Sequence, residues 1–264
     1  MSNIRVKNLK IGKNVVIENT AIIRGLNGLA ENVYIGDNTY IGHDVQIICD
    51  DFSIGDYSKI HHHTNIHGYK PCKIGHNAWI GQYCVIDSIG GTTIGNNCGI
   101  GAHSQLWSHI KYGDTLDGCR IFSESHFTVG YDVWCVGHCI VSPITAEDKS
   151  MALVGSVVTK DMKHNNIYAG SPAKNITDKA GNPFKNVTIE DKHQKMCEYL
   201  KQFESLTNTK DHDILIVKYK QELVLDKSCF CVQDRIYNKM GTDVEQKFMS
   251  FLLPDKAKFT PFKQ

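Results

Sequence analysis

An aliphatic residue recurs every six positions along most of this chain, and few backbones can use such a period. The unit is plain in "IGDNTYIGHDVQI", where Ile35 and Ile41 are six residues apart and each is followed by glycine. The same anchor gives Ile11, Ile17, Ile23; Ile35, Ile41, Ile47; Ile54, Ile60, Ile66; Ile74, Ile80, Ile86; and Ile94, Ile100, Leu106. It resumes as Val129, Cys135, Val141 and closes as Ala146, Ala152, Val158. A helix buries residues three and four apart, and a half-buried strand alternates, so six fits neither. It fits a coil of three short strands with sharp corners, one anchor pointing inward from each side. Glycine after the anchor suits a corner that crowds a Cβ.

The irregularities are as informative as the matches. Within triplets every step is 6; between triplets the steps are 12, 7, 8, 8, 23 and 5. All variation in length therefore falls between the third anchor of one coil and the first of the next. In a three-sided prism that is one corner, repeated coil after coil. The segments "HGYKPCK", "DSIGGTT" and the long insertion 107–128 are thus expected to stack along one edge. Seven coils at about 4.8 Å each make a prism roughly 34 Å long.

The segment "VGYDVWCVGHCIVSPITAEDKSMALVGSVVTKDMKHNNIYAGSPAKNI" resembles the hexapeptide-repeat acyltransferases, most specifically in "SVVTKD" followed by "AGSPAK". The resemblance covers residues 1–178. It implies a left-handed parallel β-helix, a homotrimer, and an acyl-coenzyme A bound in the groove between neighbouring prisms. It implies that Gly155 and Ser156 meet the pantetheine and that Thr159 and Lys160 meet the adenosine end. Lys160, Lys163 and Lys174 then offset phosphate charge, and Trp134 matches the family's groove tryptophan. The chain departs from the family pattern at Cys135-Val136, where Ile-Gly is usual, at His138, where a small residue is usual, and at Ser171 before Pro172.

Twenty-odd extra residues cannot enter the core of a coil edge, so the insertion 107–128 must project. An insertion this long in a compact domain is usually functional or disordered. Its Trp107, Tyr112, Leu116, Ile121 and Phe122 suit packing on a neighbouring subunit. Acyl transfer from a thioester needs a base for the acceptor's proton and donors for the oxyanion. Histidine suits the base. In sugar and antibiotic acetyltransferases of the resembled family the base follows the last anchor before the projecting loop, which is the position of His109; His126, at the other root, is the rival. His67, Tyr69, Trp107 and Arg120 are the candidates for binding the acceptor. His61, His62 and His63 read as solvated corner residues.

The expected activity is acetyl transfer from acetyl-CoA to a hydroxyl or amine of a sugar, on a nucleotide sugar or surface-glycan precursor, with no metal. The alternative on the same prism is a zinc lyase like the γ-class carbonic anhydrases. It is disfavoured because "IGHNAWIG" offers His76 but glycine where a second ligand is expected. A scaffold without catalysis is disfavoured by "SVVTKD" and the insertion.

Charge excludes other classes. With 29 basic and 28 acidic residues the net charge is +1, which gives no field for nucleic acid or an anionic membrane. No apolar run approaches the ~18 residues of a membrane span, and "MSNIRVKNLKIG" lacks the apolar stretch of a signal peptide. A cytoplasmic location is expected. The ten cysteines are scattered, and the closest pair, Cys229 and Cys231, lacks zinc-finger spacing, so reduced and mostly buried thiols are expected.

After Ile176 the anchors stop, and residues 179–264 read as a small α+β module. A helix is expected from Thr188, with Asp191 at the capping-box position, and a second from Thr242, with Glu245 three later and Pro254 as its stop. "DILIVKY" reads as a strand with which "ELVLD" and "CFCVQ" are expected to pair. The whole is a mainly β chain: a left-handed parallel β-helix with a projecting loop and a small C-terminal α+β module.

Overall fold

Three columns of anchors organise the first part of the chain. In the computed structural model, which describes residues 3–208, 214–224 and 226–262, parallel pairing stacks Ile11, Ile35, Ile54, Ile74, Ile94, Val129 and Ala146 on one face. Ile17, Ile41, Ile60, Ile80, Ile100, Cys135 and Ala152 stack on the second. Ile23, Ile47, Ile66, Ile86, Leu106, Val141 and Val158 stack on the third. The three columns meet in a single apolar core. The anchors between Ile35 and Leu106 are at most 4 % exposed, and each buried aliphatic side chain contributes about 1.5–3 kcal/mol relative to exposure. The result is a parallel β-helix of triangular section. At its first coil Ile11 is exposed, because no coil lies below it.

The strand Ile4–Ile11 is longer than the repeat predicts. Its start pairs with Ile22–Arg24 on the third face and its remainder with Ala30–Ile35 on the first, so it joins those two faces. The glycine after each anchor is explained by crowding. A Cβ on Gly36 would lie 2.5 Å from the Asp56 backbone nitrogen of the next coil. The left-handed backbone falls two residues later, on Asn38, Tyr57, Asn77 and Asn97 at one corner and on His63, Tyr83, His103 and His138 at the next.

The chain divides into two compact units, Met1–Phe184 and Lys185–Gln264. The first ends six residues beyond 178 because the chain after Ile176 folds back on the last coil. Phe184 N–H donates to Asn165 Oδ1 (3.0 Å), and Asn165 and Asn182 side chains return bonds to Phe184 O and Asn165 O.

The second unit holds helices Ile189–Thr207 and Asp243–Leu252, capped by Thr188 and Thr242, which accept from Asp191 N and Glu245 N. Its core is aromatic: Phe203, Phe230, Tyr237, Phe248 and Phe259. Its sheet runs Ile214–Val217, Ser228–Cys231, Ile236–Tyr237, Thr260–Pro261. "CFCVQ" supplies a strand, parallel to the first. "ELVLD" does not, among the described residues. Glu222 accepts from Lys218 N and Tyr219 N and closes a 3₁₀ turn over Lys220–Glu222, so the chain bends where an extended segment was expected. Asp213 and Leu225 of these two segments lie outside the described residues.

All ten cysteines are free thiols, eight of them buried. Burial pushes Cys49 up to about 12 and Cys84 up to about 11, far from the thiolate that reacts. A thiol-disulfide reagent at neutral pH should therefore modify Cys119 of the projecting arm quickly, and Cys49 and Cys84 only after denaturation. A second outcome concerns the core. Ile80→Ala should lower unfolding free energy by about 2–5 kcal/mol in denaturant titration, the usual cost of a buried aliphatic truncation. The same change at exposed Lys59 should cost less than about 0.5 kcal/mol.

Candidate active site

The corner between the third and first faces carries the irregular segments on successive coils, as the step lengths predict. The insertion does not stay irregular. It leaves as a two-stranded antiparallel arm, with His109–Ile110 paired to Ser123–Glu124. Asp114 turns the far end by accepting from Leu116 N and Asp117 N. Glu124 ties the arm at its root, with Lys70 and Lys111 each 3.2 Å away. Tyr112, Leu116, Ile121 and Phe122 stand exposed along it.

The arm crosses the coil below it at Gly90. A Cβ there would lie 2.4 Å from Ser108 O and 2.5 Å from Ser125 O, so only glycine admits both roots. That approach lets Gly90 N–H donate to Ser108 Oγ (2.9 Å). Ser108 in turn donates its hydroxyl (2.6 Å) and its backbone N–H (2.8 Å) to Asp87 Oδ2.

Asp87 is the centre of this corner. It ends the strand Val85–Asp87, is wholly buried, and follows anchor Ile86 directly. Its Oδ2 also accepts from His109 Nδ1 at 2.7 Å. Its Oδ1 accepts from Ile89 N (3.3 Å) and lies 3.7 Å from His67 Nε2. His67 pairs with Asp87 in register from the coil below, and its Nδ1 lies 2.9 Å from Asn65 Oδ1. A buried carboxylate is costly unless its lone pairs are filled; here backbone, hydroxyl and imidazole donors fill them. With Nδ1–H donating to Asp87, the neutral His109 ring carries its lone pair on Nε2, the form of a general base.

The two root histidines differ. His126 Nε2 lies 2.9 Å from Thr93 Oγ1, and among the described residues no carboxylate pairs with its ring. Trp107 sets its ring edge-on to His109, centroids 6.1 Å apart, and donates to Gln105 Oε1 (3.3 Å). Tyr69 stands exposed at the same corner, two residues past His67, and Arg120 is exposed along the arm beyond Cys119. His67, Trp107 and His109 are thus brought together around Asp87; Arg120 is not part of that cluster. Sequence reading missed Asp87 and Ser108. The signal was present, since the six-residue period puts Asp87 directly above His67 and below Trp107.

The residues expected to meet a coenzyme do not form one groove within a single chain. Trp134 is half exposed on the second face, and Gly155 occupies the corner between the second and third faces with φ +71° and open space where a Cβ would stand. Ser156 is turned inward: it is buried and donates to Leu153 O (2.6 Å), so its hydroxyl is taken up inside the corner. Thr159 and Lys160 are exposed on the far side of strand Val157–Val158, and Lys174 lies on the added antiparallel strand Ala173–Asn175. Lys163 is paired with Glu147 at 2.9 Å.

The corner histidines are not simply solvated. His63, Tyr83, His103 and His138 stack ring on ring along the corner between the second and third faces, with centroids 4.8, 5.1 and 4.8 Å apart. His61 packs between Tyr40 and Trp79, and burial, then Lys59 and His62, hold its imidazole below the ordinary value. Among the described residues no three His, Cys, Asp or Glu side chains converge in metal-binding geometry, and no helix is long and apolar enough to cross a membrane.

No profile of a known protein family matches the chain. It is 30 % identical over 110 residues to the galactoside O-acetyltransferase of Escherichia coli (strain K12), a match covering 40 % of this chain. The chain thus spans half the length (50 %) of that curated relative. Among solved structures it is similar to AntD, an N-acyltransferase from Bacillus cereus in complex with dTDP and 3-hydroxybutyryl-CoA, at 17 % identity and TM-score 0.41, covering 75 % of this chain and 91 % of that one. It is also similar to a hexapeptide-repeat acetyltransferase from Vibrio cholerae O1 complexed with acetyl-coenzyme A, at 17 % identity and TM-score 0.39, covering 54 % and 69 %.

If Asp87 is what organises this corner, Asp87→Leu leaves the Ser108 and Ile89 donors without an acceptor. It should lower stability by about 1–3 kcal/mol in denaturant titration, and Asp87→Asn, which keeps one acceptor oxygen, should cost less.

Proposed function

We propose that the chain is an acetyl-CoA-dependent acetyltransferase that acylates a hydroxyl or amine of a sugar, working as a homotrimer in the cytoplasm. The observation that carries the reading is the His109–Asp87 pair at the root of the arm. The similarity to galactoside O-acetyltransferase over 110 residues supports the donor chemistry and the sugar class. In this reading His109 Nε2 takes the proton from the acceptor as its oxygen or nitrogen attacks the thioester carbonyl. Asp87 holds the ring and stabilises the imidazolium that forms. Collapse of the tetrahedral intermediate breaks the carbon–sulfur bond, and His109 returns the proton to the departing thiolate. His67, Trp107 and Tyr69 border the acceptor; Trp134, Gly155, the backbone of Ser156, Thr159, Lys160 and Lys174 serve the donor, the last three through its charged end. Because these two sets lie on different corners of one prism, a neighbouring subunit is needed to bring them face to face. That is the physical case for the trimer.

A screen of nucleotide sugars and deoxyamino sugars with acetyl-CoA, read as release of free thiol, tests the activity. With an acceptor in hand, His109→Ala should lower kcat by roughly 10²–10⁴, the worth of a positioned general base, with the KM for acetyl-CoA little changed. Asp87→Asn should lower kcat by at least about tenfold by loosening the ring. If His126→Ala is dead and His109→Ala is nearly normal, the base lies at the other root. Acetyl-CoA at millimolar concentration should raise the melting temperature, and sedimentation should give three times the chain mass; a monomer at micromolar protein contradicts the shared site.

A further inference from the structure

The corner between the second and third faces holds a feature that the proposed chemistry leaves unused. One left-handed residue per coil occupies it from the second coil onward: Asp44, His63, Tyr83, His103, His138 and finally Gly155. Backbone bonds keep the column in register, with Tyr83 N–H donating to His62 O, His103 to Gln82 O, His138 to Ala102 O and Gly155 to Gly137 O. Four of the six positions carry flat rings, in succession from His63 to His138. The His103 and His138 rings lie 4.8 Å apart and 14° from parallel, the spacing of the coils themselves. The last position, Gly155, carries no side chain. No atom comes within 4 Å of where the Gly155 Cβ would be. The stack therefore ends in a step: the outer face of His138 looks along the edge into the open place over Gly155.

The walls of that step are apolar and exposed: Trp134 on the second face, Ile140 on the third and Val154 beside Gly155. An extended alkyl-amide chain suits such an edge, with polar groups meeting backbone and methylenes meeting Trp134, Ile140 and Val154. His138 borders the open place over Gly155 with a ring whose other face is already covered by His103. Rotation of that ring is thereby restricted, and its N–H edge offers a hydrogen-bond donor beside Gly155. His138 replaces the small residue usual in the resembled family, so it changes the shape of this edge in this chain.

We propose that His138 is a donor-site residue: pinned by His103, its imidazole bounds the open place over Gly155 and donates a hydrogen bond to the carbonyl oxygen of the acyl thioester. This rests on the reading of Gly155 as a pantetheine contact. The bond distinguishes acyl-coenzyme A from the free thiol, and it strengthens as the carbonyl oxygen gains charge during attack.

The test needs no acceptor. Dissociation constants for acetyl-CoA and for CoA are measured by calorimetry, and the slow hydrolysis of acetyl-CoA by water, which yields acetate and the coenzyme thiol, is followed by thiol release. Wild-type protein should bind acetyl-CoA about 2- to 10-fold more tightly than CoA, the worth of one net hydrogen bond. His138→Ala should erase that preference and slow hydrolysis by about 10- to 100-fold, with CoA affinity unchanged. His138→Gln, which keeps an N–H donor, should recover part of both, and His103→Ala should lose part of both. His63→Ala, two rings farther along the column, should behave as wild type. A melting curve for His138→Ala within a few degrees of wild type checks that the edge is intact. If wild type binds coenzyme but His138→Ala keeps the preference and the hydrolysis rate, the assignment of His138 is wrong and the donor reading stands. If wild type binds neither form at millimolar concentration, the donor reading fails and the assignment fails with it.

Discussion

The constraint on which everything else depends is the in-register stacking of aliphatic anchors every six residues. Each anchor must sit above the last to fill the interior, so the strands and two of the corners have fixed length. Only the third corner can vary. A coil that must gain residues gains them there, and every insertion is stacked on the others. The corner that bears the arm is therefore not an addition to the repeat but the one place where the repeat leaves freedom. His67, Asp87 and His109 come from three successive coils and meet because the coils leave them no other course.

That corner also shows how a fold of short strands builds a buried charge. Asp87 directly follows an anchor, so its carboxylate begins at the core wall and turns along the edge. Water cannot solvate it, and the neighbouring coil supplies donors instead: Ser108 N–H, Ser108 O–H and His109 Nδ1 on a single oxygen. The hydroxyl of Ser108 is itself aimed by Gly90 N–H. Glycine at 90 is thus linked to the histidine ring through three hydrogen bonds and one close backbone contact. The orientation of His109 is set by the packing of the coils rather than by the exposed far end of the arm.

Much of the fold was legible in the sequence because period and burial are the same fact in a prism. The columns, the coil count and the edge that bears the insertions follow from step lengths alone. The arm's hairpin was less legible, since its register depends on Asp114 and Glu124 and not on any hydrophobic alternation. Asp87 escaped because an acid after an anchor looks like a surface residue until the returning arm covers it. The bond from the Ser156 hydroxyl to Leu153 O was not legible for the converse reason: the residue type suits a ligand, but the corner takes up the hydroxyl and leaves only the backbone for one. In the second unit Glu222 capped a turn that its β-branched and aliphatic neighbours disguised as a strand. Hydrogen bonds made by single polar side chains decided each of these cases, and periodicity does not report them.

The central claim is that Asp87 fixes His109 with its Nδ1 protonated and its Nε2 free to accept a proton. Nitrogen-15 spectra of the protein labelled at histidine test this directly, with the His109 signals assigned by their loss in His109→Ala and taken at a pH where the ring is neutral. The account predicts the Nδ1–H tautomer for His109, coupled to a downfield proton in the strong bond to Asp87. An Nε2–H tautomer, with Nδ1 unprotonated, would contradict it.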